Sequence, residues 1–335
     1  MKKILILIVA CLGIATSYSQ DTNPFVGRWA LTIPGGGAGW LGVTRQNNWY
    51  DATILWGGGS VVPVDNVFFN DEMNTMFVMR SHDVDRRGPD GKLIRKQRCT
   101  EVIIANVDGD DLRLKLFHPK HDGIGFDQAE FTGKRIPPLP PKPDLSKLKF
   151  GDPIVLFNGK NLDGWRLTDQ NQVNGWRVEN GELINDPVQE EGKPHKNYGN
   201  LRTEKEFEDF NLQIEVNVPP KGNSGIYLRG IYEVQVTDSY GKPLDPHNMG
   251  AIYSRITPVK NAEKPAGEWQ KLDITLCDRH VTVILNGEKI IDNEPLMGCT
   301  GGALWSDEFR PGPIYLQGDH TGIRYRNIVL KPIIK

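Results

Sequence analysis

The chain has 335 residues, more than the roughly 100–200 of a typical single domain, so its length predicts two domains. Its 36 glycines and 23 prolines, together with many aromatic and β-branched residues, indicate a turn-rich all-β protein. The formal net charge of −2 argues against a nucleic-acid binder, because neutralising phosphates requires a clustered basic surface.

Residues 1–20 are typical of an export signal. Met1-Lys2-Lys3 gives a positive start, the short apolar run from Ile4 to Ile14 follows, and small residues up to Gln20 offer a cleavage site. The apolar run is too short to span a membrane. The stretch ending at Cys11 resembles a lipoprotein box, but cleavage there would leave residues 12–15 of the run in the mature protein. We therefore expect release near Gln20 into the periplasm or the medium, rather than anchoring through Cys11.

Residues 21–135 contain eight short candidate strands separated by turn signals such as Asp108-Gly109. This pattern predicts a smaller antiparallel β domain, built as a barrel or a sandwich. Its tryptophans are interpreted as core and rim aromatics, and a sugar-stacking platform is the alternative. The candidate strands are Gly27–Ile33, Gly39–Arg45, Tyr50–Trp56, Val61–Phe69, Thr75–Arg80, Lys96–Val107, Asp110–Phe117 and Ala129–Arg135.

A proline-rich segment, Ile136 to Pro143, marks the domain boundary. Prolines cannot donate backbone hydrogen bonds, so the segment is predicted to run as an extended, semi-rigid spacer. We therefore assign residues 136–149 as a linker and residues 150–335 as a second domain.

The second domain contains about a dozen further candidate strands, which predict two packed antiparallel sheets. Asn286-Gly287 favours a type I′ hairpin, because both residues readily adopt positive φ. Trp165 and Trp176 are predicted to be buried anchors. Cys277 and Cys299 are predicted to be buried thiols, and a disulfide between them is the alternative.

The stretch from residue 223 to residue 238 is the centre of this domain. Apolar and polar residues alternate on both sides of a glycine, which predicts two short strands. Because residues two apart in a strand share a face, Tyr227 is expected to point the same way as Arg229, and Glu233 the same way as Gln235. Such a polar and aromatic face is typical of a sheet that binds a polyhydroxylated ligand, and an ordinary solvated face is the alternative.

Several motifs in this domain resemble the 3-keto-disaccharide hydrolase domains, also described as 3-keto-glucoside lyase and hydratase domains. The resemblance covers about residues 153–332 and implies a concanavalin A-like two-sheet jelly roll, but it leaves residues 21–150 unexplained. The motifs are Asn223-Ser224-Gly225-Ile226-Tyr227, Tyr232-Glu233-Val234-Gln235, Asp238, Leu156 to Trp165, Gly250 to Tyr253, Gly267 to Trp269, Asn286-Gly287, and Leu316-Gln317 before His320.

The candidate site is a set of polar groups that could meet over one concave sheet. The sequence contains no glycine-rich nucleotide loop, nucleophile elbow or zincin helix to compete with it. We predict His320, Glu233, Arg229 and Asp238 as catalytic residues, and Tyr227, Gln235, Tyr253, Gln317 and Asp319 as substrate-binding residues.

The resemblance implies elimination chemistry on a 3-keto-glycoside. The C3 carbonyl acidifies the C2 proton, a base removes this proton, the C1 aglycone leaves, and water adds across the resulting glucal. His320 suits the base because its unperturbed pKa of about 6.5 is near neutrality, and Glu233 is the alternative base. Arg229 suits stabilisation of the enolate as a permanent cation. Glu233 and Asp238 could orient His320, bind sugar hydroxyls or hold a divalent cation.

Two other functions remain open at the level of sequence. A conventional glycosidase needs two carboxyls across the scissile bond. Glu233 and Asp238 lie five positions apart on one predicted strand, about 16 Å apart along it and on opposite faces. The other alternative is a non-catalytic carbohydrate-binding protein. In each case we expect an oligosaccharide or glycoside as the ligand, with no nucleic-acid partner and no membrane-spanning segment in the mature protein, and His247 is interpreted as a loop histidine.

Overall fold

Residues 23–334 are described by a computed structural model. They form antiparallel β-sheets with no α-helix in this range. The first domain contributes the strands β1 Gly27–Thr32, β2 Ala38–Arg45, β3 Tyr50–Trp56, β4 Gly58–Pro63, β5 Asn66–Asn70, β6 Thr75–Arg87, β7 Leu93–Asp108, β8 Asp111–Pro119 and β9 Phe126–Arg135. These strands form one sheet in the order β4-β3-β2-β1-β9-β8-β7-β6-β5.

The two edges of this sheet meet, which gives the domain a barrel-like form. After β4 the chain leaves β3 and pairs with β6. The N–H of Val64 still donates to Ala52 O of β3 at 3.0 Å, whereas the N–H of Asp65 donates to Met79 O of β6 at 2.9 Å. Strand β3 also contacts β5. The prediction of one strand over residues 61–69 is therefore wrong, because the chain leaves one edge of the sheet and joins the other within it.

The second domain follows as two stacked sheets. Its strands are β10 Lys149–Phe150, β11 Ile154–Val155, β12 Trp165–Leu167, β13 Trp176–Glu179, β14 Glu182–Asn185, β15 Leu201–Thr203, β16 Phe210–Asn217, β17 Asn223–Leu228, β18 Tyr232–Thr237, β19 Trp269–Cys277, β20 His280–Leu285, β21 Glu288–Pro295, β22 Tyr315–Leu316 and β23 Ile323–Ile334. The larger sheet runs β13-β14-β23-β16-β19-β20-β21, with β10 and β11 also paired to β23, and the smaller sheet runs β12-β15-β22-β17-β18. The predicted all-β architecture, a jelly roll after a smaller β domain, is confirmed.

Alternation along the hairpin β17–β18 decides which side chains face the core between the two sheets. Ile226, Leu228, Val234 and Val236 are fully buried in the core between the two sheets. Each sheet residue between them points to the opposite face. The outer face of the smaller sheet therefore carries the polar residues of this hairpin, as the sequence predicts.

The predicted local anchors are also confirmed. The indoles of Trp165 and Trp176 are buried, and each donates its N–H to a main-chain carbonyl, at 2.6 and 2.8 Å. Asn286 and Gly287 both have positive φ, at 52° and 89°. One of the candidate strands of the second domain, residues 250–254, is instead a loop. Main-chain hydrogen bonds hold it to β18, among them Gly250 N–H to Gln235 O at 2.8 Å and Tyr253 N–H to Glu233 O at 3.0 Å.

The proline-rich segment has no helix or strand from residue 136 to residue 144, and it lies against the second domain. Arg279 donates through Nη2 to Pro138 O at 2.6 Å, and Asn293 donates through Nδ2 to Pro143 O at 2.8 Å. Trp40 of the first domain packs in the same apolar cluster as the jelly-roll core. The two domains therefore share a packed and hydrogen-bonded contact, and their independent folding stays a prediction.

The predicted export signal and the Cys11 alternative lie outside the described residues. Within residues 23–334, no helix is long and apolar enough to cross a membrane. Cys277 and Cys299 are both buried, and no disulfide joins them.

Candidate active site

A cavity of about 250 Å³ lies over the outer face of the smaller sheet, beside the hairpin β17–β18. It collects most of the residues predicted for the site, from the two strands β17 and β18 and from two loops. Its lining consists of Gly58, Gly59, Asn223, Tyr227, Glu233, Gln235, Tyr253, Gly301, Gly302, Gln317, Asp319 and His320.

Strand pairing sets Tyr227 beside Glu233, because the two residues are directly opposite in the β17–β18 register. Two glycines leave the space that these side chains occupy. A Cβ at Gly225 would lie 2.5 Å from Glu233 Oε1, and a Cβ at Gly302 would lie 2.6 Å from the Tyr227 hydroxyl. The Asn-Ser-Gly motif therefore carries glycine where the carboxyl of Glu233 covers the neighbouring strand.

The hydroxyl of Tyr227 contacts two acceptor atoms at once. Its oxygen lies 2.8 Å from Glu233 Oε2 and 2.7 Å from Gly301 O. A hydroxyl has one proton to donate. Both contacts can be hydrogen bonds at the same time if Tyr227 donates to Gly301 O and a protonated Glu233 donates to the Tyr227 oxygen. The geometry therefore fits a neutral carboxylic acid at Glu233.

The environment of Glu233 favours the same protonation state. Its side chain is only 4% exposed. Burial raises the pKa of Glu233 to about 8, although the hydrogen bond with Tyr227 and the charge of His320 act in the opposite direction. A buried carboxyl that lacks a full counter-charge resists ionisation because its anion loses hydration. Glu233 is thus mainly neutral at pH 7 and available as a hydrogen-bond donor.

This raised pKa predicts a pH dependence of stability. The folded protein holds a proton on Glu233 between its usual pKa of 4.5 and about 8. The contribution of this proton to the free energy of unfolding is complete below pH 4.5 and is lost as the pH rises to about 8. At 1.36 kcal/mol per pKa unit, the loss is of the order of 4 kcal/mol. Glu233→Gln stays neutral, so its stability should fall less over the same interval.

Urea unfolding of both proteins at several pH values between 4.5 and 8 measures this difference. Glu308 is also buried, and burial raises its pKa, but it is present in both proteins and its effect cancels. Parallel stability curves for the wild type and Glu233→Gln would contradict the raised pKa.

Asp319 and His320 form an acid–base pair at the edge of the cavity. His320 Nδ1 lies 3.2 Å from Asp319 Oδ1, and both side chains are partly exposed. The hydrogen bond with Asp319 raises the pKa of His320, although burial lowers it. Burial opposes ionisation of Asp319, but the hydrogen bond and charge of His320 bring the pKa of Asp319 below its usual range. Asp319 is therefore an anion that orients the imidazole of His320 and makes it a stronger base.

The remaining polar groups offer sites for hydroxyls. Gln235 donates through Nε2 to Asn223 Oδ1 at 3.2 Å. Gln317 Oε1 is buried and has no hydrogen-bond partner among the described residues. A buried acceptor without a partner costs about 1–3 kcal/mol. A ligand hydroxyl that donates to Gln317 would recover this free energy.

Arg229 lies elsewhere, and its predicted position is corrected. Strand β17 ends at Leu228, and Arg229 adopts a left-handed conformation with φ of 54°. The strand alternation therefore stops before Arg229. Its guanidinium donates through Nη2 to Glu308 O at 2.8 Å and through Nε to Arg310 O at 3.1 Å. The side chain holds a loop, and it does not line the cavity where an enolate would form.

Asp238 also lies outside the cavity lining. Its Oδ2 accepts the N–H of Lys221 at 2.8 Å, which closes the turn before β17. Glu233 and Asp238 therefore do not meet as a pair of carboxyls or as cation ligands, in line with their predicted opposite faces.

One cluster has the side chains needed for a metal. In the part of the chain that the structure describes, a single group of three His, Cys, Asp or Glu residues has its ligand atoms within 4.8 Å of one another. The group consists of Asp209, Cys277 and Asp278, none of which lines the cavity. The placement of residues thus gives no support to a divalent cation held by Glu233 and Asp238.

Sequence reasoning missed the glycines of the lining. Gly301 and Gly302 come from the loop before β22, and Gly58 and Gly59 come from the first domain. A glycine has no functional group, so only a close approach in the fold reveals its place. Asn223 could have been found, because it begins the family motif.

The first-domain tryptophans do not form a stacking platform at this cavity, since none of them lines it. Trp40 is buried at the contact between domains, and Trp56 packs edge-on to Phe131 with ring centroids 5.3 Å apart. Trp49 is 55% exposed. The interpretation as core and rim aromatics therefore fits their positions.

Fold and cavity together define a two-sheet β protein with a small polar site that holds a carboxyl, a tyrosine and a histidine over one sheet. The chain belongs to the 3-keto-alpha-glucoside-1,2-lyase-like domain family, whose profile matches residues 152–331. The predicted resemblance is thereby confirmed.

The chain is also similar to individual proteins. A 3-keto-disaccharide hydrolase of Bacteroides thetaiotaomicron is 28% identical over 166 residues, which are 42% of this chain and 57% of that protein. The chain thus spans little more than half the length of this relative. Among solved structures, a protein of Parabacteroides distasonis designated a glycosyl hydrolase is 30% identical, with a TM-score of 0.44, over 64% of this chain and 96% of that one. A second one from the same organism is 21% identical, with a TM-score of 0.43, over 54% of this chain and 94% of that one.

Proposed function

We propose that the protein is a carbohydrate-active enzyme that cleaves 3-keto-glycosides by elimination and then hydrates the product. The observation that carries this proposal is the meeting of Glu233, Tyr227 and His320 in one cavity of sugar size. An elimination beside a ketone needs a base near the C2 proton and a donor at the C3 oxygen. The three residues supply both functions.

His320 acts as the base. Its neutral imidazole removes the C2 proton, and the electron pair of the broken C–H bond forms the enolate of the C3 ketone. Collapse of the enolate breaks the bond from C1 to the aglycone oxygen, which leaves with the proton that His320 removed from C2, so the imidazole becomes neutral again. Asp319 keeps the imidazole oriented and stabilises the imidazolium that forms.

Glu233 acts on the C3 oxygen. When the ketone binds, Glu233 turns the proton that it shares with Tyr227 toward the C3 oxygen, while Tyr227 keeps its hydrogen bond to Gly301 and holds the carboxyl in place. A neutral carboxylic acid can donate a hydrogen bond to a developing oxyanion, which an ionised carboxylate cannot do. Burial keeps the pKa of Glu233 at about 8, so this donor is present near neutral pH. Gln317, Gln235 and Asn223 would bind the sugar hydroxyls. Water then adds its oxygen to C1 and a proton to C2, which gives the free 3-keto sugar.

The proposed mechanism predicts exchange at one carbon. A 3-keto-disaccharide treated with the protein in deuterated water should give 3-keto-glucose with deuterium at C2, which NMR and mass spectrometry detect. The matching disaccharide without the ketone should be nearly inert, because nothing acidifies its C2 proton. A substrate deuterated at C2 should react more slowly if proton removal limits the rate.

The same experiment tests a second function. Glu233 and Asp319 are two carboxyls that line one cavity, and a conventional glycosidase would use such a pair. Rapid cleavage of the plain disaccharide, with no deuterium at C2, would favour this function and contradict elimination. Binding of the plain disaccharide without turnover of either sugar would favour a carbohydrate-binding protein.

We propose in addition that the enzyme acts after export. This part of the proposal rests only on the signal-like sequence of residues 1–20.

A further inference from the structure

We propose that the first domain is part of the active site, because Gly57 and the start of β4, Gly58 to Ser60, form a wall that limits the size of the sugar substrate. The segment from Gly57 to Ser60 is called the glycine wall below. The inference rests on the proposed function, since the ligand of the cavity is taken to be a 3-keto sugar. It assigns a role to the first domain, which lies outside the family match because that match begins at residue 152.

The glycine wall reaches the cavity through direct main-chain packing. Gly58 and Gly59 line the same cavity as Glu233 and His320. A Cβ at Gly301 would overlap the carbonyl oxygen of Gly59. The close approach of these two segments of the backbone therefore requires glycine at position 301, where the jelly roll meets the first domain.

Hydrogen bonds fix the wall in this position. The N–H of Gly302 donates to Gly57 O at 3.3 Å. The N–H of Val61, directly after the wall, donates to Ser254 Oγ at 2.7 Å. In both cases one partner belongs to the first domain and the other to a loop beside the cavity, so the wall cannot shift without breaking contacts to the jelly roll.

A side-chain network connects the wall to a residue of the cavity. Ser60 Oγ lies 2.8 Å from His247 Nε2, and His247 Nδ1 lies 2.6 Å from Asp245 Oδ1. The ring of His247 packs edge-on to Tyr253 with centroids 4.8 Å apart. Ser60 thus acts through His247 on Tyr253, which lines the cavity, and we assign Ser60 as a positioning residue.

The order Ser60, His247, Asp245 matches that of a hydrolytic triad, but the environment differs. The acid of such a triad is buried, where it stabilises the imidazolium. The side chain of Asp245 is 55% exposed, so solvent screens its charge. The network therefore serves to hold the wall.

The wall favours small substrates. A cavity of about 250 Å³ lies just below the range of roughly 300–1,000 Å³ for drug-sized ligands. It suits one keto sugar ring with a compact leaving group. Gly58 leaves room for that ring, because a Cβ added there would have no atom within 4 Å and its φ is not positive. A larger side chain at this position has open space to enter.

Two pairs of variants test the wall with a 3-keto-disaccharide and methyl 3-keto-α-glucoside. Gly58→Leu should lower kcat/KM by about tenfold or more, mainly through KM, while Gly58→Ala stays within about threefold. Ser60→Ala should raise KM by about three- to tenfold with kcat within twofold, because it loosens binding without touching the reacting atoms. Ser81→Ala is the matched control, since its hydroxyl pairs with Thr100 away from the cavity. All four variants should melt within a few degrees of the wild type.

The outcomes separate this inference from the proposed function. Wild-type KM values in both Gly58→Leu and Ser60→Ala would overturn the wall while leaving the elimination intact. If Gly58→Leu does not fold, Ser60→Ala alone decides. If the wild type turns over neither keto sugar, the proposed function fails, and calorimetry with methyl α-glucoside tests the wall. A loss of affinity of about tenfold in Gly58→Leu would support it, whereas equal affinities, or no binding to the wild type, would overturn it.

Discussion

Replacing His320 with alanine is expected to lower kcat on a 3-keto-disaccharide by about 10²–10⁴, the usual contribution of a positioned general base. His320 lines the cavity and is paired with Asp319 at 3.2 Å. Its side chain is 44% exposed, so its removal should leave the melting temperature nearly unchanged. Steady-state kinetics and NMR of deuterium at C2 give the two readouts, and both should fall together.

His195→Ala is the control for the loss of an imidazole. His195 contacts Asn197 at 3.3 Å and does not line the cavity, so this variant should keep wild-type kinetics. Normal C2 exchange in His320→Ala would remove His320 from the role of base. A deep loss in Glu233→Ala beside normal activity in His320→Ala would transfer that role to Glu233.

Two substitutions at Glu233 are expected to differ in effect. Glu233→Ala should lower kcat by about 10²–10³, the cost of removing one donor to an oxyanion. Glu233→Gln should lose less, because a neutral amide still donates a hydrogen bond toward the C3 oxygen. The comparison separates a neutral acid from a carboxylate base, since the amide cannot accept the C2 proton.

The pH profile of kcat/KM provides a second comparison, between the wild type and Glu233→Gln. Wild-type kcat/KM should decline above about pH 8 as Glu233 ionises, and this limb should be absent from Glu233→Gln. Equally deep losses in both variants, with a wild-type rate that rises through pH 8, would instead identify Glu233 as the base.

Strand alternation made the centre of this site predictable. Once residues 223–238 are read as two strands, the period of two separates Ile226 and Val234 from Tyr227 and Glu233. The first pair is fully buried in the core, and the second pair lines the cavity. Local sequence was enough here because the signal extends over adjacent residues of one hairpin.

The same rule failed at Arg229, one residue beyond the end of β17. Alternation assumes an extended backbone, and the positive φ of Arg229 turns its side chain toward the loop of Glu308 and Arg310. Non-glycine residues with positive φ are uncommon, and the sequence placed the break between the strands at Gly230, one residue after the point where β17 has already ended. The alternation rule therefore assigned Arg229 to a face of the sheet, although Arg229 no longer belongs to the strand.

The glycine wall was beyond the reach of local sequence for a different reason. Gly59 meets Gly301 because two domains dock, and neither residue carries a side chain that indicates a ligand. The sequence did mark a turn at residues 57–59, since three glycines follow one another. Which surface the turn would touch depends on tertiary packing, which neither composition nor spacing contains.

The contact between domains also determines when the site becomes complete during folding. Ser306 of the jelly roll accepts the N–H of Gly39 and donates to Leu31 O, contacts that span 267 and 275 positions of the chain. Closing such long loops is slow, because the chain loses conformational entropy before the new contacts form and offset that loss. Each domain can build its hairpins earlier from near neighbours. The cavity therefore gains its last wall late in folding, and regain of activity on refolding should lag behind regain of β-structure.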